Sequence, residues 1–126
     1  MATYSFVDVD SLPGKGPGGA VRFVRQALGA RAFGFNYFDL PPGTVGHEHD
    51  ETESGQEEVV FVIAGSGALR VDGEEIELMG GRFVRLDPEA VRCPVAGESG
   101  LTFITFGAPV AGGYEPPSWE PQDGNG

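Results

Sequence analysis

What most constrains this chain is its rhythm. Between residues 20 and 106, short β-prone runs alternate with breaks rich in glycine and proline, and no segment carries the spacing of a long helix. The clearest run is Val59-Val60-Phe61-Val62-Ile63-Ala64, opened by Glu58 and followed by Gly65-Ser66-Gly67. Its β-branched and aromatic side chains suit a pleated, buried surface. With 21 glycines and 10 prolines, the chain has turn chemistry for many short strands. Strands are expected at 20–25, 31–40, 58–64, 82–86, 91–95 and 101–106, with a turn at Gly65-Ser66-Gly67. Residues 68–72 and 74–78 read as a hairpin about Asp72-Gly73. The one helical candidate is a short turn at 25–28. Many short strands without a long helix predict an all-β sandwich or barrel.

At 126 residues the chain is the size of one domain with a core of its own. A net charge of −11 argues against nucleic acid or an anionic membrane as partner. A single cysteine, Cys93, excludes an intrachain disulfide. No apolar run approaches the roughly 20 residues that span a bilayer, and the first residues lack a signal-peptide pattern. These features predict a cytoplasmic protein.

The chain's 2 histidines fall in His47-Glu48-His49. Residues two apart on an extended strand point to the same face. Glu58 follows at the head of the apolar run, on a rigid element. Two imidazoles and a carboxylate form a three-ligand set for a divalent transition metal with open positions for substrate. The intervening residues 50–57 read as a solvated acidic loop.

On these residues the chain resembles a small single-domain cupin. The pattern of that family places a His-x-His pair, a glutamate, then six residues and a glycine, as Glu58 and Gly65 do here. A second block runs from a glycine, here Gly81, to a fourth ligand, usually histidine. The resemblance covers residues 30–107. It implies a double-stranded β-helix, or jelly-roll cupin barrel, over a core at 30–107, with an N-terminal strand segment (1–29) and a Gly/Pro-rich tail (108–126). It places His47, His49 and Glu58 in the barrel mouth as ligands of iron, manganese, nickel or zinc.

Three departures stand out. The loop between His49 and Glu58 is longer than the pattern asks, Gly43 stands two residues too close to the histidines, and the fourth-ligand histidine is missing. By spacing from Gly81 that position is Arg92; with Pro88 as the motif proline it is Cys93. A thiolate ligates zinc or iron. An arginine cannot, but it can hold a carboxylate by a bidentate fork. Arg92 could equally pair with Glu58 in a metal-free barrel, and Cys93 could simply be a buried apolar residue.

Three functions stay open at this point: a small metal-dependent oxygenase or isomerase acting on an organic acid, a metal-free module binding a small anion, and a dimeric non-catalytic cupin. Related small cupins are commonly dimers. Tyr114 and Trp119, set among prolines, need a surface to bury against, either this barrel or a partner's in a homodimer. The last five residues are expected to be disordered.

Overall fold

The structure, a computed structural model, describes residues 3–121. The expected disorder of 122–126 lies outside the described residues. The strands are β1 (Val21–Arg22), β2 (Gly34–Leu40), β3 (Gln56–Val71), β4 (Glu74–Met79), β5 (Phe83–Leu86) and β6 (Arg92–Pro109). Among the described residues the one α-helix, α1 (Val24–Leu28), lies between β1 and β2, and two 3-10 turns, Val9–Ser11 and Pro17–Gly19, precede β1. The sheet order is β1-β2-β6-β3-β4, with β5 also on β3. Every pairing is antiparallel. No described helix is long and apolar enough to cross a membrane.

Two long strands organise this all-β barrel. β3 and β6 pair over nearly their whole length, from Gln56↔Pro109 to Val71↔Arg92. The register slips twice, between Val62 and Ala64 and between Gly65 and Gly67. An extra residue on one strand of an antiparallel pair bends it and increases its twist. One half of the β3–β6 ribbon therefore pairs with β2 and β5, and the other half pairs with β4. Leu40, Val60, Val62, Val84, Leu86, Leu101 and Phe103 meet Leu69, Leu78 and Ala96 in one buried cluster. The stretch ahead of β3 borders the second half through the isolated bridges Val45↔Val95 and His49↔Arg92.

The structure revises several expected boundaries. Gly65-Ser66-Gly67 is no turn: β3 runs through it. Gly65 has φ +84°, and a Cβ there would run into the carbonyl oxygen of Gly100. Glycine here permits a bend and a close backbone approach without reversing the chain. By the same bend, 91–95 and 101–106 are one strand, β6. The strand expected at 20–25 shortens to β1, because α1 begins at Val24. Gly29, with φ 74°, caps α1 by donating its amide to the carbonyls of Arg25 and Gln26.

The tail packs back on its own barrel. A Cβ on Gly34 would lie 2.7 Å from Tyr114 Cε1, so the ring fills the space that glycine leaves. The Trp119 ring sits 6.1 Å from that of Phe23. Glu120 is buried and accepts from Arg25 Nε (3.0 Å) and Asn36 Nδ2 (3.1 Å).

Candidate metal and anion site

Glu58 lies near the start of β3, opposite Leu86 of β5 and Gly107 of β6. Strand alternation puts it on the same inward face as Val60 and Val62. Arg92 opens β6 opposite Val71 and is 2% exposed. Its amide and carbonyl exchange hydrogen bonds with those of His49, at 2.9 and 3.0 Å. That reciprocal pair brings the histidine segment to the barrel mouth. Arg92 Nε then lies 3.8 Å from Glu58 Oε1, an ion pair too long for a hydrogen bond.

The acidic loop adds a member that the sequence did not point to. Glu51 was expected in a solvated loop, yet it is only 8% exposed. Its amide donates to the Pro88 carbonyl at 2.8 Å, and its own carbonyl accepts from Gly55 N at 2.8 Å. These bonds fold the loop inward. Ser54 Oγ donates to Glu51 Oε1 at 2.9 Å, and His49 Nε2 lies 3.0 Å from Oε2. A nitrogen of His49 and a carboxylate oxygen from each of Glu51 and Glu58 all lie within 4.8 Å of one another.

The other expected site residues stand as follows. The His47 ring is exposed and lies 5.8 Å from that of His49, centroid to centroid, at 18°. It is not among the three convergent donors. Cys93, next to Arg92 on β6, pairs with Arg70 and so faces the other side of the sheet. Its Sγ lies 3.5 Å from the Gly46 carbonyl oxygen, and burial raises its pKa, with Glu48 adding to the shift and Arg70 opposing it. Those are the surroundings of an inert thiol, away from the cluster.

Electrostatics divide the cluster into two pairs. The hydrogen bond to Glu51 raises the His49 pKa; burial opposes the rise and the Glu58 charge adds to it. Burial would raise Glu51, but hydrogen bonds from His49 and Ser54 hold it below the ordinary value. Glu58 is raised, chiefly by burial, with Arg92 pulling against the shift.

The donor chemistry fits a divalent transition metal. His49 Nδ1 lies 3.4 Å from the His47 carbonyl oxygen, the acceptor it needs as the Nδ1–H tautomer. That tautomer leaves the Nε2 lone pair for a cation between two carboxylates. Arg92 sets the limit on this fit, because its charge already offsets that of Glu58. Its side chain makes one hydrogen bond, Nη2 to the Asp87 carbonyl at 3.3 Å. Its Nε and Nη1 are buried without a hydrogen-bond partner. Buried guanidinium donors left in this state are costly, and an oxyanion ligand would satisfy them.

No protein-family model matches the chain, and no curated protein does. Solved structures do match its fold. A cupin protein from Bacteroides fragilis superposes with a TM-score of 0.74 at 23% identity, over 91% of this chain and 93% of that one. A predicted oxalate decarboxylase from Thermotoga maritima follows at 0.68 and 17% identity, over 82% and 97%. KdgF from a Halomonas species aligns at 0.66 and 16% identity, over 86% and 96%. The chain therefore shares the fold of small cupin domains.

Proposed function

We propose that the barrel mouth binds a small organic acid beside a divalent transition metal, and that the protein is a small metal-dependent enzyme of the oxygenase or isomerase type. His49, Glu51 and Glu58 would hold the metal, with His47 as a fourth donor after a side-chain rotation. Iron, manganese, nickel and zinc all suit such a mixed nitrogen and oxygen set. The metal would supply Lewis acidity toward a bound carboxylate or carbonyl. Arg92 would bind and orient the acid through its Nε and Nη1 hydrogens, and the surrounding apolar core would exclude water from that contact.

The observation that carries this reading is the pair of orphaned donors on buried Arg92, set beside three convergent metal-ligand atoms. One observation favours a second reading, a metal-free binding module. His49 pairs with Glu51 at 3.0 Å and Arg92 pairs with Glu58 at 3.8 Å, so the cluster can neutralise itself without a cation.

Elemental analysis of protein purified without chelator separates the two readings. About one transition metal per chain, lost in His49→Ala, supports the enzyme, and metal-free protein that stays so on titration supports the module. A thermal-shift screen of small organic acids tests the shared part. Acids should raise the melting temperature of the wild type and lose most of that effect in Arg92→Ala. Stabilisation by neutral sugars and not by acids would remove the anion-binding role.

A further inference from the structure

The row of inward positions that holds Glu58 has a gap in it. Glu58 pairs with Gly107 of β6, and Gly107 pairs with Gly34 of β2. Farther along the same faces the side chains are large: Phe38 and Leu40 on β2, Val60 and Val62 on β3, Phe103 on β6. Two adjacent strands therefore bring no side chain of their own to the row of the candidate site. The space is filled from elsewhere. A Cβ on Gly34 would lie 2.7 Å from Tyr114 Cε1 and 2.8 Å from its hydroxyl oxygen, and one on Gly107 would lie 2.7 Å from Gln56 Oε1. The Tyr114 ring is the far wall of the space beside Glu58, and the Gln56 amide lies between them.

Tyr114 belongs to no strand. The chain leaves β6 at Pro109, at this same end of the barrel, and Val110 N donates to the Gly55 carbonyl at 3.2 Å, on the loop that carries Glu51. Gly112 then takes φ +90°, and among the described residues no atom lies within 4 Å of a Cβ added to it or to Gly113. An unpacked glycine pair is a hinge. From Val110 to Trp119 the residues are exposed except for Tyr114 and Pro117, which are half-buried. The far end is fastened where buried Glu120 meets Arg25 and Asn36, the next inward residue of β2 after Gly34. A buried ion pair is weak evidence for stability, and its best-attested use is to fix position.

We infer that residues 110–120 are a hinged lid on the barrel mouth, and that Tyr114, on its inner side, is a specificity-determining residue that limits the size of the acid. The inference rests on the proposed binding of an organic acid at Arg92. With strands about 4.8 Å apart, Gly34 stands roughly 10 Å from Glu58, and one contact of about 3.5–4.0 Å at each wall leaves roughly 2–3 Å for the centres of ligand atoms. A short acyclic acid fits that width once the Gln56 side chain swings aside, and a ring with its hydrogens does not. Release of the latch lifts Tyr114 and admits the ligand, and closure shuts water out.

Two measurements on the full chain test this. The first needs no acid. In a Cys93→Ser background, Leu86→Cys sets a lone thiol opposite Glu58, and mass spectrometry follows its reaction with iodoacetamide. Tyr114→Ala and Glu120→Gln should each speed labelling at least tenfold beyond any rise in hydrogen exchange at the β3 and β6 amides. Labelling that only keeps pace with that exchange overturns the lid. Should Leu86→Cys fail to fold, Thr105→Cys, opposite Asn36, makes the same test. The second is thermal shift. Malonate should stabilise the wild type and benzoate should not, whereas Tyr114→Ala, which vacates the space of one ring, should be stabilised by both. Adding Arg92→Ala should abolish both shifts. Benzoate acting equally on the wild type and Tyr114→Ala overturns the role of Tyr114. If neither acid shifts any variant, the Arg92 reading falls and the size limit with it, while the labelling rates still decide the lid.

Discussion

Replacing Glu120 by alanine should destabilise the protein more than any surface change. The Arg25 and Glu120 side chains are 0% and 2% exposed and meet at 3.0 Å. Glu120 also accepts from Asn36 at 3.1 Å, and Arg25 Nη1 donates to the Ala30 carbonyl at 2.9 Å. Removing the carboxylate takes away the acceptor of the buried Arg25 Nε and of the Asn36 amide. Breaking one side of such a pair costs about 3–5 kcal/mol, against a whole-domain stability of about 5–15 kcal/mol. At about 2.1 cal/mol/K per residue, the unfolding entropy of a chain this size is roughly 0.26 kcal/mol/K. The melting temperature should therefore fall by about 10–20 °C. Glu120→Gln keeps the shape and one acceptor, and should cost less. Arg25→Met combined with Glu120→Leu removes both charges and should lose less than Glu120→Ala alone. Urea titration followed by tryptophan fluorescence reads the tail, because Trp119 is adjacent; circular dichroism reads the barrel. If Glu120→Ala costs under about 1 kcal/mol by circular dichroism, the tail does not seal this pair in solution and the reasoning fails.

Arg92→His should raise metal affinity at least tenfold by calorimetry, since the Arg92–Glu58 attraction at 3.8 Å is about 4 kcal/mol at an effective dielectric of 20 and holds Glu58 from a metal; equal or weaker binding refutes this. Metal affinity should fall with decreasing pH, starting above the ordinary histidine value of about 6.5, because a metal must displace the proton that Glu51 helps to hold on His49. Without metal, the raised His49 pKa contributes stability that is fully present below about pH 6.5 and is lost as pH rises through the folded value. Glu51→Gln should move the metal-binding fall to lower pH, and affinity flat between about pH 6 and 8 would contradict the assignment. Gly65→Ala should cost at least about 2 kcal/mol, combining left-handed strain with a backbone collision. Gly73→Ala, at φ 85° with nothing within 4 Å of its Cβ, should cost about 1–2 kcal/mol from strain alone; equal losses in urea would deny Gly65 its role at the bend.

Local chemistry made much of the fold readable. The Asp72-Gly73 turn joins β3 to β4 with Val71 opposite Glu74, and alternation along 58–62 places Glu58 inward beside the core valines. Spacing from Gly81 singled out Arg92, which the structure sets against Glu58. What escaped the sequence depends on distant partners. A glycine pair serves a turn or a bulge equally well, and only the approach of Gly100 decides for the bulge at Gly65. Glu51 sits in a run of acids that reads as solvated, and its burial depends on a backbone bond to Pro88. Arg25 and Glu120 lie 95 residues apart, with no local pattern to link them.

The strand order has a consequence for how this protein is made. Of the described strands, β6 is the last to leave the ribosome, yet it lies at the centre of the sheet, between β2 and β3. Until residue 109 has emerged, β2 and the apolar run 59–64 of β3 each present an unpaired edge. Such edges invite pairing with other nascent chains. The barrel closes only through contacts that span much of the sequence, such as Gly34↔Gly107, a topology that folds slowly. Truncation before the end of β6 should therefore leave an aggregating fragment and no smaller folded domain. Slower translation would lengthen the vulnerable interval, and a holdase that shields open strand edges would raise the yield of folded protein.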